Sequence, residues 1–461
     1  MEALYSRFAI FWGRMTQQNL CNRQEGRSDL HIIVVGATEC AYRKLQPESR
    51  MKTAIICNSI LLLLKLQESS SLSVSKSKSS PPIKKVAIIG SGICGLSLAH
   101  ALQNSDRASQ CDIEAHVFDA RQSLNFDAGA GIQLTGGLAT LRKINPDVHR
   151  AVANAGLPLK QIKSRCKPWF RSESPFATLL ELNLEESIKI AGGSAEEELI
   201  IDGEVQACAI MRGALQETLL NTLPKECVNR VQFNKQLTNI ESGSDGIKCQ
   251  FNDGTEAGPF DIVIGSDGIN SAVKEYIDMG SISDGGKKES TIYSGIRVQY
   301  AIQDGKIDDS DVDSSELCQY FGDAAYSLAG IYGAGEGKKP TKGAFLIFKD
   351  PDWNGPFKKK EATGAKKTGE NADWTQDVES VGSIMYQRIK DGEVPDIQVG
   401  PIVQNADRFF ELGVYFHNPL SLRGWSKEVQ GSANRYVVLA GDAAHAMVGS
   451  EVCFICMTFL D

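Results

Sequence analysis

The sequence predicts an α/β protein in which a parallel β-α-β unit is followed by a second domain with a mostly antiparallel sheet. The parallel unit is indicated by a Val- and Ile-rich run at Lys85–Ile89, helical periodicity over Leu96–Leu102, and a second apolar run at Ile113–Phe118. Strand, helix and strand in this order form a right-handed crossover. The antiparallel sheet is indicated by Ile292–Phe348, where Tyr, Val and Ile alternate with turn residues.

Composition limits the classes of function. The chain has 461 residues, of which 42% are hydrophobic and 23% charged, with a net charge of -8. Such a chain can bury a large core, and its acidic balance argues against a nucleic-acid partner. The 12 cysteines show no disulfide or metal-ligand spacing, and we interpret the single C-x-x-C pair, Cys453 and Cys456, as accidental. No metal site is predicted.

Residues 1–82 are predicted to be a poorly structured leader and linker. Met51–Leu66 has the basic start and short apolar run of a signal peptide, although fifty residues precede it. Two alternatives follow: Met51 is the true start and the protein enters an organelle or the secretory pathway, or the segment has no targeting role and the protein is cytoplasmic. The run is too short, and too interrupted, to predict an integral membrane span.

The folded body is predicted to begin at Ile83, after a linker rich in Ser and Lys. A second stretch of low periodicity, Gly335–Gly369, is rich in Gly, Lys and Pro. We expect it to be an exposed loop.

A dinucleotide-binding fingerprint opens the body. Val86–Gly95 runs strand, G-x-G-x-x-G, helix. In this pattern Gly90 permits a tight turn, Gly92 lets the backbone approach a pyrophosphate, and Gly95 lets the helix pack closely on the strand. Asp119 ends the next strand, where an acid can bind the hydroxyls of an adenosine ribose. The alternative, a glycine-rich turn with no ligand, does not account for the acid in register.

From Ile83 to Met447 the chain resembles the aromatic-ring hydroxylases, the single-component FAD monooxygenases with the p-hydroxybenzoate hydroxylase fold, which include salicylate hydroxylase-like proteins and zeaxanthin epoxidase. Besides the fingerprint, the similarity lies in Gly129–Leu134, in the D-G motif within Asp261–Lys274, and in the G-D motif within Tyr436–His445. Arg212 matches the family's R-x-x-L helix start. The usual arginine that ends the D-G motif is Lys274 here.

The resemblance implies FAD as resident cofactor and NAD(P)H as co-substrate. It implies FAD contacts at the following positions: Gly90, Ser91, Gly92, Ile93, Cys94, Gly95, Asp119, Ala120, Arg121, Gly131, Ile132, Arg212, Asp267, Gly268, Gly441 and Asp442. Taken singly, Asp267 and Asp442 fit a turn or a helix cap equally well; their joint occurrence with the fingerprint favours the cofactor. His445 is expected to be structural.

The resemblance also implies a Rossmann-like FAD-binding domain, formed by residues of about 83–165, 205–285 and 430–461, and a substrate-domain sheet at about 166–204 and 286–429. The implied chemistry is reduction of FAD by NAD(P)H, formation of a flavin C4a-hydroperoxide with O2, and transfer of one oxygen to a small aromatic or unsaturated substrate. No catalytic side chain is assigned. Tyr293–Val298, Tyr320–Tyr332 and Tyr415–Asn418 are candidate pocket residues, with core packing as the alternative.

Two other functions remain open at this stage: an FAD-dependent reductase or oxidase of the same fold, and a non-catalytic flavoprotein remnant. The segment after His445 departs from the family, which has a proline and a G-Q-G turn before a long helix. Gly449 and Val452–Phe454 stand in those places. Because β-branched and aromatic residues disfavour positive φ, we expect residues 448–461 to pack poorly against the flavin and to weaken the enzyme.

Overall fold

The computed structural model describes residues 83–104, 113–126, 129–168, 174–243, 245–283, 291–305, 316–352, 378–417, 424–431 and 435–446. The predictions for the leader and linker up to residue 82, for Cys453 and Cys456, and for the segment 448–461 lie outside these residues.

Twenty-one strands and eleven helices are named here within the described residues. The strands are β1 (Lys85–Ile89), β2 (Glu114–Phe118), β3 (Gly131–Leu134), β4 (Leu157–Pro158), β5 (Gln161–Cys166), β6 (Ala177–Asn183), β7 (Ile200–Ile201), β8 (Glu204–Val205), β9 (Cys208–Met211), β10 (Val231–Gln232), β11 (Leu237–Ser242), β12 (Ile247–Phe251), β13 (Glu256–Phe260), β14 (Ile262–Gly265), β15 (Thr291–Asp304), β16 (Glu316–Phe321), β17 (Ala325–Tyr332), β18 (Thr341–Lys349), β19 (Arg408–His417), β20 (Ser426–Glu428) and β21 (Tyr436–Leu439). The helices are α1 (Ile93–Asn104), α2 (Gly137–Ile144), α3 (Pro146–Ala155), α4 (Leu184–Ala191), α5 (Ser194–Leu199), α6 (Arg212–Asn221), α7 (Lys225–Val228), α8 (Ala272–Met279), α9 (Val378–Asp391), α10 (Val399–Gln404) and α11 (Asp442–His445).

The first large sheet has six strands in the order β10-β2-β1-β14-β21-β20. All neighbours are parallel except β20, which runs antiparallel to β21. Alternate residues of β1 face opposite sides: Val86 and Ile88 pack in a cluster with helices α1 and α6, whereas Ala87 and Ile89 pack in a cluster with α8 and the sheet β11-β12-β13. Burial on both faces explains why this strand is continuously apolar.

The second large sheet has seven strands in the order β19-β15-β18-β17-β16-β5-β6, and only the β16–β5 pair is parallel. The sequence prediction of a mostly antiparallel second sheet is therefore confirmed. One face packs with the parallel unit through Val298, Tyr300 and Phe345. The other face is covered by α9 and α10.

The prediction that Gly335–Gly369 is an exposed loop is wrong for Thr341–Lys349. Strand β18 lies inside it and pairs with β15 on one side and β17 on the other, and Ala344 and Leu346 are fully buried. The Gly, Lys and Pro residues that flank this short apolar run mask its pattern, while two neighbouring strands supply its hydrogen bonds. Residues 353–369 lie outside the described ranges.

Among the described residues, no helix combines the length and the apolar character needed to cross a membrane.

Candidate active site

The predicted cofactor motifs meet at one edge of the six-stranded sheet. Strands β1, β2, β14 and β21 are parallel, so their carboxyl ends lie along the same edge. The fingerprint, Asp119, the D-G motif and the G-D motif each follow one of these ends. From β1 the chain continues to β2, which lies on one side of β1, whereas β14 lies on the other side. The carboxyl end of β1 is therefore the switch point at which ligands bind in open α/β sheets.

Each fingerprint glycine has the geometry that its predicted role requires. Gly90 has a φ of +104°, and a Cβ there would lie 2.4 Å from the Ser266 carbonyl oxygen. A Cβ on Gly95 would lie 2.0 Å from the Gly90 carbonyl oxygen, so this glycine holds α1 against the turn. At Gly92 a Cβ would meet no described atom within 4 Å. The backbone at Gly92 therefore borders open space at the amino end of α1, where a phosphate is favoured.

Asp119 lies at the end of β2, only 4% exposed, and accepts hydrogen bonds from two residues. Ser91 donates through its backbone N at 2.8 Å and its hydroxyl at 2.6 Å, and Arg121 donates through its backbone N and its guanidinium. Burial opposes ionisation of this carboxyl, but these hydrogen bonds and the charge of Arg121 outweigh it and hold the pKa at about 2. Because that pKa is below the ordinary 3.8, the ionised form stabilises the fold at neutral pH, and this contribution is lost as the pH falls towards 2.

Asp267 has two different carboxylate oxygens. Oδ2 accepts a hydrogen bond from the Ala272 backbone N at 2.8 Å, so it binds an N–H of the first turn of α8, whose N-cap residue is Ser271. Oδ1 is buried and has no hydrogen-bond partner among the described residues. Burial raises the pKa of this carboxyl, as expected for a charge removed from water.

The residues that flank Asp267 differ in what they face. Gly268 has a φ of +80°, and no described atom lies within 4 Å of the position of its Cβ. Lys274, at the family's arginine position, does not offer its charge at this edge. It is 2% exposed and donates to Asp278 Oδ2 at 2.7 Å.

The G-D motif approaches the fingerprint from the other side. Gly441 has a φ of +60°, and a Cβ there would lie 3.1 Å from Cys94 Sγ. Asp442 is exposed, and its carboxylate has no hydrogen-bond partner in the described part of the chain. Its backbone carbonyl lies 3.1 Å from Nε2 of the buried His417 at the end of β19. His445 donates its backbone N to the Gly441 carbonyl within the same short helix.

Arg212 begins α6 beside Gly129, whose Cβ position lies 3.1 Å from Arg212 Cδ. Its side chain is exposed, yet enough protein surrounds it that desolvation lowers the pKa of its guanidinium. The charge of Arg121 lowers it further, whereas Asp442 and Tyr300 oppose the shift. Solvent access combined with close protein on several sides describes a concave cleft, in which Arg212 lies within electrostatic reach of both Arg121 and Asp442.

Gly131 and Ile132 lie on β3, which pairs antiparallel with β9. A Cβ on Gly131 would lie 2.2 Å from the ring of Tyr332, so packing explains this glycine. Tyr332 is fully buried and accepts a hydrogen bond from Gln133 Nε2 at 2.8 Å. Ala120 is exposed beside Asp119, and Ile93 is half-buried in the first turn of α1.

The candidate pocket residues divide between the two faces of the seven-stranded sheet. Tyr320 packs on the face covered by α9 and α10 and donates its hydroxyl to Gln398 Oε1 at 2.8 Å. Tyr293 and Tyr415 pair with ring centroids 5.3 Å apart. The face toward the parallel unit is apolar and aromatic, formed by Val298, Tyr300, Leu328, Phe345, Ile347, Phe410, Leu412 and Val414. Asn418 lies outside the described residues.

Three buried polar residues to which the sequence analysis assigned no FAD contact support the cleft. Gln216 Nε2 donates to the Ser91 carbonyl at 2.7 Å. Ser266 Oγ donates to the carbonyl of Gly90 at 2.9 Å, and His417 lies against Asp442. Ser266 carried a signal, since it directly precedes Asp267 and Gly268, and His417 lies within the candidate pocket range Tyr415–Asn418. Gln216 and His417 approach from distant segments.

These residues fit FAD. Two glycines border open space, a buried carboxylate oxygen and an exposed carboxylate are unpartnered among the described residues, and a helix amino end faces the same edge. The described residues contain no group of three or more His, Cys, Asp and Glu side chains that could hold a metal ion.

No protein-family model matches the chain. Comparison with curated proteins shows similarity to salicylate hydroxylase and to FAD-dependent urate hydroxylase. Salicylate hydroxylase of Pseudomonas putida is 28% identical over 212 residues, covering 44% of this chain and 40% of that protein. FAD-dependent urate hydroxylase of Klebsiella pneumoniae is 27% identical over 194 residues, covering 42% of each chain. The matched segment spans about two fifths of the length of these curated relatives.

Solved structures match over more of the chain. Klebsiella pneumoniae HpxO, solved with FAD and uric acid, matches with a TM-score of 0.52 at 21% identity, covering 79% of this chain and 74% of that one. 2,6-Dihydroxypyridine-3-hydroxylase of Arthrobacter nicotinovorans gives a TM-score of 0.52 at 15% identity, covering 80% and 79%. The fold is therefore the p-hydroxybenzoate hydroxylase-like fold of FAD-binding monooxygenases, as predicted from the sequence.

Proposed function

We propose that this chain is an FAD-dependent monooxygenase that uses NAD(P)H and O2 to oxygenate a small aromatic substrate. One observation carries the proposal: three separate motif loops converge on one edge of the parallel sheet and leave open the two glycine positions that a pyrophosphate needs. The names of the relatives support the reaction class, since salicylate and urate hydroxylases act on aromatic rings.

Different residues of the cleft would bind different parts of FAD. Asp119 is placed for the adenosine ribose, and the amino end of α1 at Gly92 for the pyrophosphate. Gly268 lets the backbone approach the same group. Asp442, on the other side of the fingerprint, is placed for the hydroxyls of the ribityl chain. Bound FAD would supply hydride acceptance and oxygen activation, which no protein side chain can provide.

The substrate is proposed to lie between the cleft and the apolar face of the seven-stranded sheet that contains Tyr300 and Phe410. Aromatic side chains on that face can stack with an aromatic ring and exclude water. Arg212 is within electrostatic reach of Tyr300 on that face, so it would place a positive charge beside the substrate.

The reaction class is tested by loading the purified full-length protein with FAD and supplying NADH or NADPH with salicylate or urate under 18O2. A monooxygenase consumes one NAD(P)H per oxygenated product and incorporates one 18O atom. An oxidase would form hydrogen peroxide with no 18O in the product, and a reductase would oxidise NAD(P)H without consuming O2. A protein that binds FAD but oxidises no NAD(P)H with a broad panel of aromatic substrates would contradict the proposal.

Asp442→Ala is expected to weaken FAD binding about tenfold or more, since a hydrogen bond to a charged group contributes about 1.5–3 kcal/mol. The free energy of unfolding should stay within about 0.5 kcal/mol, because Asp442 is exposed, its carboxylate has no hydrogen-bond partner among the described residues, and solvent screens its attraction to Arg212. Fluorescence titration of FAD and urea denaturation measure the two quantities. Asp147→Ala, on the exposed first turn of α3, is the control and should leave FAD affinity unchanged.

A further inference from the structure

The guanidinium of Arg121 occupies both oxygens of the carboxylate that is placed for the adenosine ribose. Nε donates to Asp119 Oδ1 at 2.8 Å, and one terminal nitrogen donates to Oδ2 at 2.7 Å. The same terminal nitrogen lies 3.5 Å from Ser91 Oγ. Arg121 follows Asp119 by two positions, so both residues lie directly after the carboxyl end of β2.

The Asp119 carboxylate has no spare capacity for a ribose. A carboxylate offers about four lone-pair sites, and Asp119 already accepts five hydrogen bonds, two from Ser91 and three from Arg121. A ribose diol that binds here must therefore replace existing donors.

The two donors differ in how easily they can leave. Ser91 is fully buried within the fingerprint turn, and Gln216 holds its carbonyl from the other side. The side chain of Arg121 is 31% exposed, and the residue lies in the irregular segment that follows β2. The guanidinium can rotate toward solvent, whereas the serine cannot move without opening the turn.

We propose that Arg121 competes with the adenosine ribose of the dinucleotide for Asp119, so that cofactor loading requires its guanidinium to be displaced. This inference rests on the proposed binding of FAD. It makes Arg121 a positioning residue that holds Asp119 ionised and oriented before loading, at the cost of slower entry.

Rapid-mixing measurements of FAD fluorescence quenching test the proposal on the full-length protein freed of flavin. Arg121→Met removes all side-chain donors and keeps an unbranched apolar stem. It is expected to raise the association rate constant about tenfold, because two charge-assisted hydrogen bonds no longer need to break. Arg121→Lys, which can donate from only one point, should give a smaller increase.

Arg230→Met is the matched control. Arg230 also carries one positive charge near β2, but it lies against Glu114, 3.6 Å from its carboxylate. Because both changes remove one charge, measurement at high ionic strength, where exposed charges are screened, separates displacement from electrostatic attraction. Arg230→Met should leave the association rate within about twofold of the parent under these conditions.

An unchanged or lower association rate for Arg121→Met, with the protein folded by circular dichroism, would overturn the inference. If Arg121→Met does not fold, the Arg121→Lys rate decides, and a rate equal to or below the parent overturns it. If the parent itself binds no FAD at any concentration, the proposed function fails as well. A parent that binds FAD while the variants show no acceleration defeats only this inference.

Discussion

Gly92→Ala is expected to weaken FAD binding about 5- to 150-fold while leaving the stability of the protein unchanged. A methyl group at this position meets no described protein atom within 4 Å, so the fold can accept it. It would occupy the space through which a pyrophosphate approaches the amino end of α1. Forcing an extra carbon into a filled contact costs about 1–3 kcal/mol, which corresponds to the stated range. Equilibrium titration with FAD and urea denaturation measure affinity and stability separately.

Gly95→Ala is the control that should behave in the opposite way. Its Cβ would lie 2.0 Å from the Gly90 carbonyl oxygen and 2.7 Å from Ser266 Oγ, so α1 must move away from the turn and the protein should lose stability. Equal FAD affinity in Gly92→Ala and the parent would show that the pyrophosphate does not approach this turn, and the assignment of the fingerprint would be wrong.

Arg297→Met is expected to lower the free energy of unfolding by about 3–5 kcal/mol, the cost of leaving a buried charge without its partner. Arg297 on β15 pairs with Glu411 on the neighbouring strand β19, and the two side chains are 10% and 2% exposed. The arginine also donates to Asp350 Oδ2 at 2.9 Å. Gln299 donates to the other Glu411 oxygen at 2.9 Å but cannot neutralise its charge. Urea denaturation at neutral pH measures the loss.

Two comparisons test the cause of that loss. Lys189→Met breaks an ion pair with Glu185 in which both side chains are about half exposed, and it should change stability by less than about 1 kcal/mol. The double variant Arg297→Met with Glu411→Leu removes both buried charges and should regain most of the loss. If Arg297→Met costs no more than Lys189→Met, the buried pair does not stabilise the sheet.

Local signals predicted much of the parallel unit. The helix after the fingerprint begins at Ile93 and ends at Asn104, around the predicted Leu96–Leu102. Strand β2 ends at Phe118, directly before the predicted acid. These predictions succeeded because a buried parallel strand is apolar over its whole length, and a tight turn onto a helix requires glycines in fixed positions.

The prediction failed where the local sequence pattern was weak and pairing with strands distant along the chain determined the structure. Strand β18 lies within a stretch rich in Gly and Lys and becomes a central strand because β15 and β17 flank it. Lys274 shows the same limitation at the site. Its place in the motif indicates a charge at the sheet edge, but the helical spacing to Asp278 turns that charge into an intrahelical pair.

The sequence by itself determined the turn-forming glycines, the acids at the strand ends and the order in which they follow the strands, because each depends on residues adjacent in the chain. Only the tertiary structure decided which of these groups share one edge and that Arg121 occupies both oxygens of Asp119. It also decided that Asp267 uses one oxygen to bind the first turn of α8 and leaves the other unpartnered among the described residues. Hydrogen-bond capacity is set by all the donors that reach a group, and those donors come from segments distant along the chain.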